Sequence, residues 1–221
     1  MKKRLALLLA VAALLATACV KAKAMSLHDP VRNDDLRALQ QMLAAPSAKS
    51  LLEARDERGR TPLLLATELN RVPLARELVL AGADVNAKDD KQDSPYLYAG
   101  AEGRREILEL TLAHGADLKS TNRYGGTALI PAAERGHVEV VRTLIAAGVN
   151  VDHVNRLGWT ALLEAILLSD GGKSHQEIVR MLIAAGADVN LPDNDGVTPL
   201  AHAERRGYTA IAAMLRDAGA R

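Results

Sequence analysis

The sequence predicts an all-α solenoid of about six helix-turn-helix units joined by short hairpin loops. The first observation behind this is a phrase on a fixed beat: Thr61-Pro62-Leu63, Ser94-Pro95-Tyr96, Thr127-Ala128-Leu129, Thr160-Ala161-Leu162 and Thr198-Pro199-Leu200. Successive phrases start 33, 33, 33 and 38 residues apart. The second is a companion phrase in the same rhythm: Gly82-Ala83-Asp84, Gly115-Ala116-Asp117, Gly148-Val149-Asn150, Gly186-Ala187-Asp188 and Gly219-Ala220. The third is composition: no Phe, one Trp and four Tyr, so Ala, Leu, Ile and Val must fill the interior. A period near 33 residues marks stacked supersecondary units, each contacting only its neighbours, and such stacks usually form surfaces for holding partners.

The elements follow in order. Residues 27–55 form a degenerate first unit, where Leu36, Leu39, Met42 and Leu43 keep a helical apolar spacing. The connection from Ala45 to Arg55 is longer than later ones. Further units run over about 56–88, 89–121, 122–154, 155–192 and 193–221. In each, Thr or Ser can cap a first helix. Pro62, Pro95 and Pro199 stand one residue into that helix, where a missing N–H sacrifices no hydrogen bond. Ala66, Ala99, Ala132, Ala165 and Ala203 recur where neighbouring helices must approach closely. Pro73 opens the second helix of its unit, and Pro131 falls in a first helical turn, the one part of a helix that accepts it. Gly82, Gly115, Gly148 and Gly186 close second helices with a left-handed backbone. Five added residues, around Leu168 to His175, lengthen the turn between the helices of the fifth unit, away from the hairpins. Ser169-Asp170-Gly171-Gly172-Lys173 is read there as a mobile loop, with a second contact edge as the alternative. In the last unit Arg205, Arg206, Arg216 and Asp217 suit a solvated outer face.

The run Asp56-Glu57-Arg58-Gly59-Arg60-Thr61-Pro62-Leu63, then Ala66, Val72 to Leu80 and Gly82-Ala83-Asp84-Val85-Asn86, closely resembles the ankyrin repeat. The resemblance covers roughly residues 27–221 and implies a hairpin turn, a short helix, a returning helix and a loop per unit. It also implies a non-enzymatic, monomeric scaffold that binds other proteins. Two departures stand out. The His that often follows Thr-Pro-Leu is replaced by Leu64, Leu97, Ile130, Leu163 and Ala201, so apolar packing is expected where a hairpin-to-helix hydrogen bond is usual. Gln92 takes the place of a hairpin Gly.

The N-terminus lies outside the array, which is assigned to residues 25–221. Met1-Lys2-Lys3-Arg4 is a basic head, and Leu5 to Val20 is an uncharged apolar run. That run is short for a membrane span and typical of a secretory signal. Two processing routes fit. Ala22-Lys23-Ala24 is a small-x-small site, giving a signal over residues 1–24. Alternatively, Ala16-Thr17-Ala18-Cys19 resembles a bacterial lipobox, giving a signal over residues 1–18 and a lipid on Cys19, the only cysteine. Either route implies export, to the periplasm of a Gram-negative bacterium, with membrane attachment only through the lipid. A body without cysteines suits an oxidising compartment.

Charge and motifs exclude several function classes. The formal charge is +1, and with few aromatics and no basic tract, nucleic-acid binding is not expected. His28, His114, His137, His153, His175 and His202 form no close metal pair. Gly171-Gly172-Lys173-Ser174 resembles the end of a phosphate-binding loop, but Leu167 stands where its first Gly is needed and a helix precedes it. Asp193-Asn194-Asp195-Gly196 resembles a calcium loop but has no closing acid; His202 stands at that distance. Both read as turns of the repeat. No catalytic residue, cofactor site or metal site is assigned.

The ankyrin resemblance places exposed fingertips at the two residues before the hairpin Gly and the one after it. Early fingers are charged: Glu57, Arg58 and Arg60, then Asp90, Lys91 and Asp93. Later ones carry Arg123, Tyr124, Arg156, Leu157, Trp159 and Val197. Aromatic residues and Arg are enriched in binding hot spots, so Arg123, Tyr124, Arg156, Leu157 and Trp159 form the expected partner surface, with Tyr98 and Glu164 lining the adjacent palm. The expected partner is another protein, whose binding stabilises or inhibits it. Resemblance to exported ankyrin proteins suggests a periplasmic enzyme such as a catalase, or a secreted toxin met by an immunity protein. A structural envelope lipoprotein without a dedicated enzyme partner is the alternative.

Overall fold

In the computed structural model, residues 26–221 are described; the signal segment and Cys19 lie outside them. Twelve α-helices and one short 3-10 helix make up the described residues, with no strand among them. They pair into six units. The first holds α1 (His28–Arg32) and α2 (Leu36–Leu43), followed by the 3-10 turn Ala48–Ser50 within the long connection. The second holds α3 (Pro62–Glu68) and α4 (Val72–Leu80), and the third α5 (Pro95–Ala101) and α6 (Arg105–Ala113). The fourth holds α7 (Leu129–Glu134) and α8 (Val138–Ala146), the fifth α9 (Ala161–Leu167) and α10 (Lys173–Ala184), and the sixth α11 (Pro199–Arg205) and α12 (Thr209–Asp217). First helices stack in one row, α1 on α3 and so on to α11; second helices stack in another, from α2 to α12.

Local chemistry sets each first helix. The hydroxyls of Thr61, Ser94, Thr160 and Thr198 accept from the backbone N–H three residues on, at 3.2–3.3 Å. The following N–H, on Leu65, Tyr98, Glu164 and His202, donates to the cap carbonyl. The fourth unit breaks this pattern. Its corresponding residue is Pro131, which has no N–H to give. Ile130 N–H donates instead to the Thr127 carbonyl at 3.3 Å, and the buried Thr127 hydroxyl is left without a partner. Pro131 is therefore accommodated in the first turn, at the cost of a cap.

Packing between the rows confirms the role of the small residues. Ala66, Ala99, Ala132, Ala165 and Ala203 are all fully buried. A continuous apolar core runs from Leu27 to Leu215 between the helix rows. Gln92 adopts a left-handed backbone, φ +66°, in the hairpin position that Gly fills elsewhere, a conformation costing a side-chain-bearing residue about 1–2 kcal/mol.

The lengthened turn of the fifth unit is pinned rather than free, a correction to the mobile-loop expectation. The Tyr208 hydroxyl donates to the Ser169 carbonyl at 2.6 Å, and Gln176 Nε2 donates to the Gly171 carbonyl at 2.8 Å. His175, the first-turn residue beyond it, donates through Nε2 to the Glu134 carbonyl of the preceding unit at 2.9 Å. No helix among the described residues is long and apolar enough to cross a membrane.

Candidate partner-binding cleft

The fingers are built by one device repeated five times. Asp56, Asp89, Asn122, Asn155 and Asp193 each accept, on Oδ1, the backbone N–H groups two and four residues on, at 2.9–3.1 Å. Each also donates its own N–H to the carbonyl four residues on. A carboxylate or amide oxygen three bonds from Cα suits this turn. The arrangement explains Asp193-Asn194-Asp195-Gly196 as hairpin, with Asp193 bound internally.

This geometry sorts the fingertip residues. The two before the turn are exposed in each hairpin, whereas the one after it turns inward. Arg60, expected at a tip, is 9% exposed. It pairs with Asp56 at 2.7 Å and with Glu68. Burial works against the Asp56 carboxylate, but hydrogen bonds from Arg60 and from the Arg58 and Arg60 N–H groups hold its pKa at about 2.

Between hairpins and first helices lies a cleft of about 730 Å³. Of the expected partner residues, Arg123, Tyr124, Leu157, Tyr98 and Glu164 line it. The Arg123 guanidinium stacks 4.8 Å from the Tyr124 ring centre and lies 3.4 Å from Asp93. Arg156 and Trp159 are not in the cleft wall. Arg156 is a strut between fingers: its guanidinium donates to the Arg123 carbonyl at 2.8 Å and its N–H to the Tyr124 carbonyl at 2.9 Å. Trp159 is half-buried, with its N–H and carbonyl both closed onto Asn155.

The helices contribute lining that the fingertip argument missed, including Leu69, Ile130, Pro131, Glu134 and Leu168. A register signal marks most of them. Counting from the Thr or Ser that opens each repeated phrase, positions four, seven and eight residues on share one helix face. In the third unit these are Tyr98, Ala101 and Glu102; in the fourth, Pro131, Glu134 and Arg135. In the fifth, Glu164 and Leu168 hold the first and last of them. All eight line the cleft.

Glu164 is the least ordinary of these groups. It is 5% exposed. Asn155 Nδ2 donates to its Oε1 at 2.8 Å; the Asn155 orientation follows from its Oδ1 accepting two backbone N–H groups. Burial and the charge of Glu134 push the Glu164 carboxyl up to about 7, against the pull of the Asn155 bond. The contact also amends the expected loss of hairpin-to-helix bonding. In the fifth and sixth units the bond is restored one position later, by Glu164 and by His202, whose Nε2 donates to Asp193 Oδ2 at 2.7 Å.

The histidines are occupied structurally. Through Nε2, His28 donates to the Arg60 carbonyl at 2.8 Å and His153 to the Gly125 carbonyl at 2.7 Å. His114 donates through Nδ1 to the Leu110 carbonyl at 2.8 Å. His137 hydrogen-bonds the Ala101 backbone. Among the described residues no group of three or more His, Cys, Asp or Glu side chains is placed to hold a metal.

Fold and cleft together define a class: an all-helical repeat scaffold whose hairpins and first helices present one open groove. The comparisons give the family. The family model described as ankyrin repeats, in three copies, matches residues 96–193, and the single-repeat model matches residues 58–90. An ankyrin repeat domain from Acinetobacter baumannii AYE is 62% identical, with 88% of this chain and 98% of that one covered and a TM-score of 0.85. The ankyrin repeat protein EF0377 is 40% identical over 86% of this chain and 96% of its own, with a TM-score of 0.81. The ankyrin repeat domain of Bcl-3, a member of the IkappaB protein family, is 26% identical over 90% and 88%, also with a TM-score of 0.81. No curated protein matches the chain. The chain belongs to the ankyrin-repeat family. Ankyrin repeats are generally protein–protein interaction modules, and proteins built from them are typically non-enzymatic binding scaffolds.

Proposed function

We propose that this chain is a periplasmic binding protein that holds one partner protein in its cleft and stabilises or inhibits it. One observation carries the reading. Six large apolar side chains are exposed among the described residues, and four of them, Leu69, Tyr124, Leu157 and Leu168, line the same cleft. An apolar strip rimmed by charged residues is the usual anatomy of a docking surface. An enzyme of the same compartment or a secreted toxin fits such a role.

Replacing Tyr124 and Leu157 together by Ala lowers capture of a stoichiometric partner from periplasmic extract at least tenfold, an effect in the range of hot-spot losses. Pull-down with folded variant, checked by circular dichroism, measures it. Undiminished capture removes the cleft as the interface. Absence of any stoichiometric partner favours the structural envelope reading instead.

The compartment rests on the basic head, the apolar run and the two processing signals of the N-terminal sequence. Fractionation of cells expressing the full chain places it in the periplasmic or membrane fraction, and Cys19→Ala moves membrane-bound protein into the soluble periplasm. Wild-type protein confined to the cytoplasm overturns the export reading. Wild-type protein already soluble in the periplasm selects cleavage before Met25.

A further inference from the structure

The acids of the cleft fall into two sets. Glu68 pairs with Arg58 and Arg60, Asp93 with Arg123, and Glu102 with Arg135. Glu134 and Glu164 are the exceptions: among the described residues neither carboxylate has an ion pair. They stand on adjacent first helices, α7 and α9, and both line the cleft. Glu164 is more than nine-tenths buried, with a single hydrogen bond, from Asn155, to its carboxylate. Two carboxylates brought together in a partly desolvated site repel each other, and a cation entering the site would relieve both the repulsion and the desolvation. Ile130, Pro131, Leu157 and Leu168 line the same cleft, apolar company suited to the methylene stem of a long basic side chain.

We infer that Glu164 and Glu134 form a receptor in the cleft for the lysine or arginine side chain of a bound partner protein, seated with its stem against Leu157 and Leu168. This rests on the cleft being the partner-binding surface. The charge balance favours this occupant. An acidic side chain would add a third negative charge, and an apolar one would leave both acids unpaired in a closed site. Burial and the Glu134 charge hold the Glu164 pKa up, and a cation seated beside it would lower it. The other charged groups of the cleft are the Arg135–Glu102, Arg123–Asp93 and Arg58–Glu68 pairs and Lys91. Ionised Glu164 is the binding form, so affinity falls as pH drops through about 7.

The test is a selection of short random peptides displayed on phage against the full chain at about pH 8. Only peptides whose binding falls with Tyr124→Ala and Leu157→Ala are kept. The expected peptides carry Lys or Arg at one fixed position between apolar residues. Replacing that residue by norleucine in a synthetic peptide weakens binding to the wild-type chain by about tenfold to a hundredfold, the range for a charged hydrogen bond. The same replacement costs no more than about threefold against Glu164→Gln or Glu134→Gln, either of which suffices if the other does not fold. Wild-type affinity also falls severalfold between about pH 8 and pH 6, and the Glu164→Gln affinity does not. Cleft-dependent peptides without a basic position, or with a penalty unchanged in both variants, overturn the receptor and leave the partner-binding reading intact. Selection that yields no cleft-dependent peptide overturns both.

Discussion

Truncating Leu144 to Ala lowers the stability of the chain by about 2–5 kcal/mol and changes how it unfolds. Leu144 lies fully buried on α8, and α8 packs against α6 on one side and α10 on the other. A repeat stack is held by nearest-neighbour interfaces, so a cavity in the middle weakens two junctions at once. The two halves then melt separately. Leu215→Ala is the control. Leu215 is equally buried, but its helix α12 has α10 as its only second-row neighbour. There the loss frays the last unit and leaves the main transition close to its wild-type midpoint. Urea unfolding followed by circular dichroism, with hydrogen exchange resolved by unit, separates the cases. Identical single transitions for both variants would show one cooperative core, and the near-neighbour account would fail.

The same nearest-neighbour logic explains why the fold was legible from sequence and the cleft only partly so. The repeating phrase carries local chemistry: Thr61, Ser94, Thr160 and Thr198 cap helices whatever surrounds them, and Ala66 and its equivalents must be small because helices touch there. Such requirements leave a mark at every turn of the repeat. The hairpin acids did the same, since Asp193 serves its own backbone. The cleft is different. Arg156 and Trp159 share a fingertip with Leu157, yet only Leu157 lines the cleft: the backbone after the turn folds Trp159 back onto Asn155, and Arg156 bridges to the carbonyls of Arg123 and Tyr124 on the neighbouring finger. Exposure within a hairpin depends on closure geometry that residue type does not reveal. Glu134 and Leu168 were visible as positions seven and eight beyond the Thr that opens each phrase, but only once the concave face is known does that register acquire meaning. The pinning of the fifth-unit turn was hidden for another reason: its partners, Tyr208 and the Glu134 carbonyl, come from the units on either side.

Glu164→Gln stabilises the protein at neutral and alkaline pH and leaves it unchanged in acid. The unfolded glutamate ionises near pH 4.5, whereas the folded one titrates at about 7. Below about pH 4.5 both states are protonated and the residue is neutral to stability. Between the two values the unfolded chain releases a proton that the folded chain retains, so wild-type stability declines as pH rises. Above about 7 the cost is constant. A shift of this size corresponds to roughly 2 kcal/mol after allowance for the open side of the cleft. Glutamine keeps the Oε1 acceptor for Asn155 and never ionises. The expected result is therefore equal midpoints near pH 4 and a gain of roughly 2 kcal/mol for the variant at about pH 8, measured by urea unfolding. A difference that is the same at both pH values would sink the account, because it would place the effect in packing rather than charge. The sign gives the residue its meaning. A structural acid loses stability when its charge is removed, as expected for Asp56 held by Arg60. Glu164 gains stability and is expected to lose affinity for a basic side chain. Opposite signs for folding and binding at one position mark a group kept for its ligand, at the expense of the free protein.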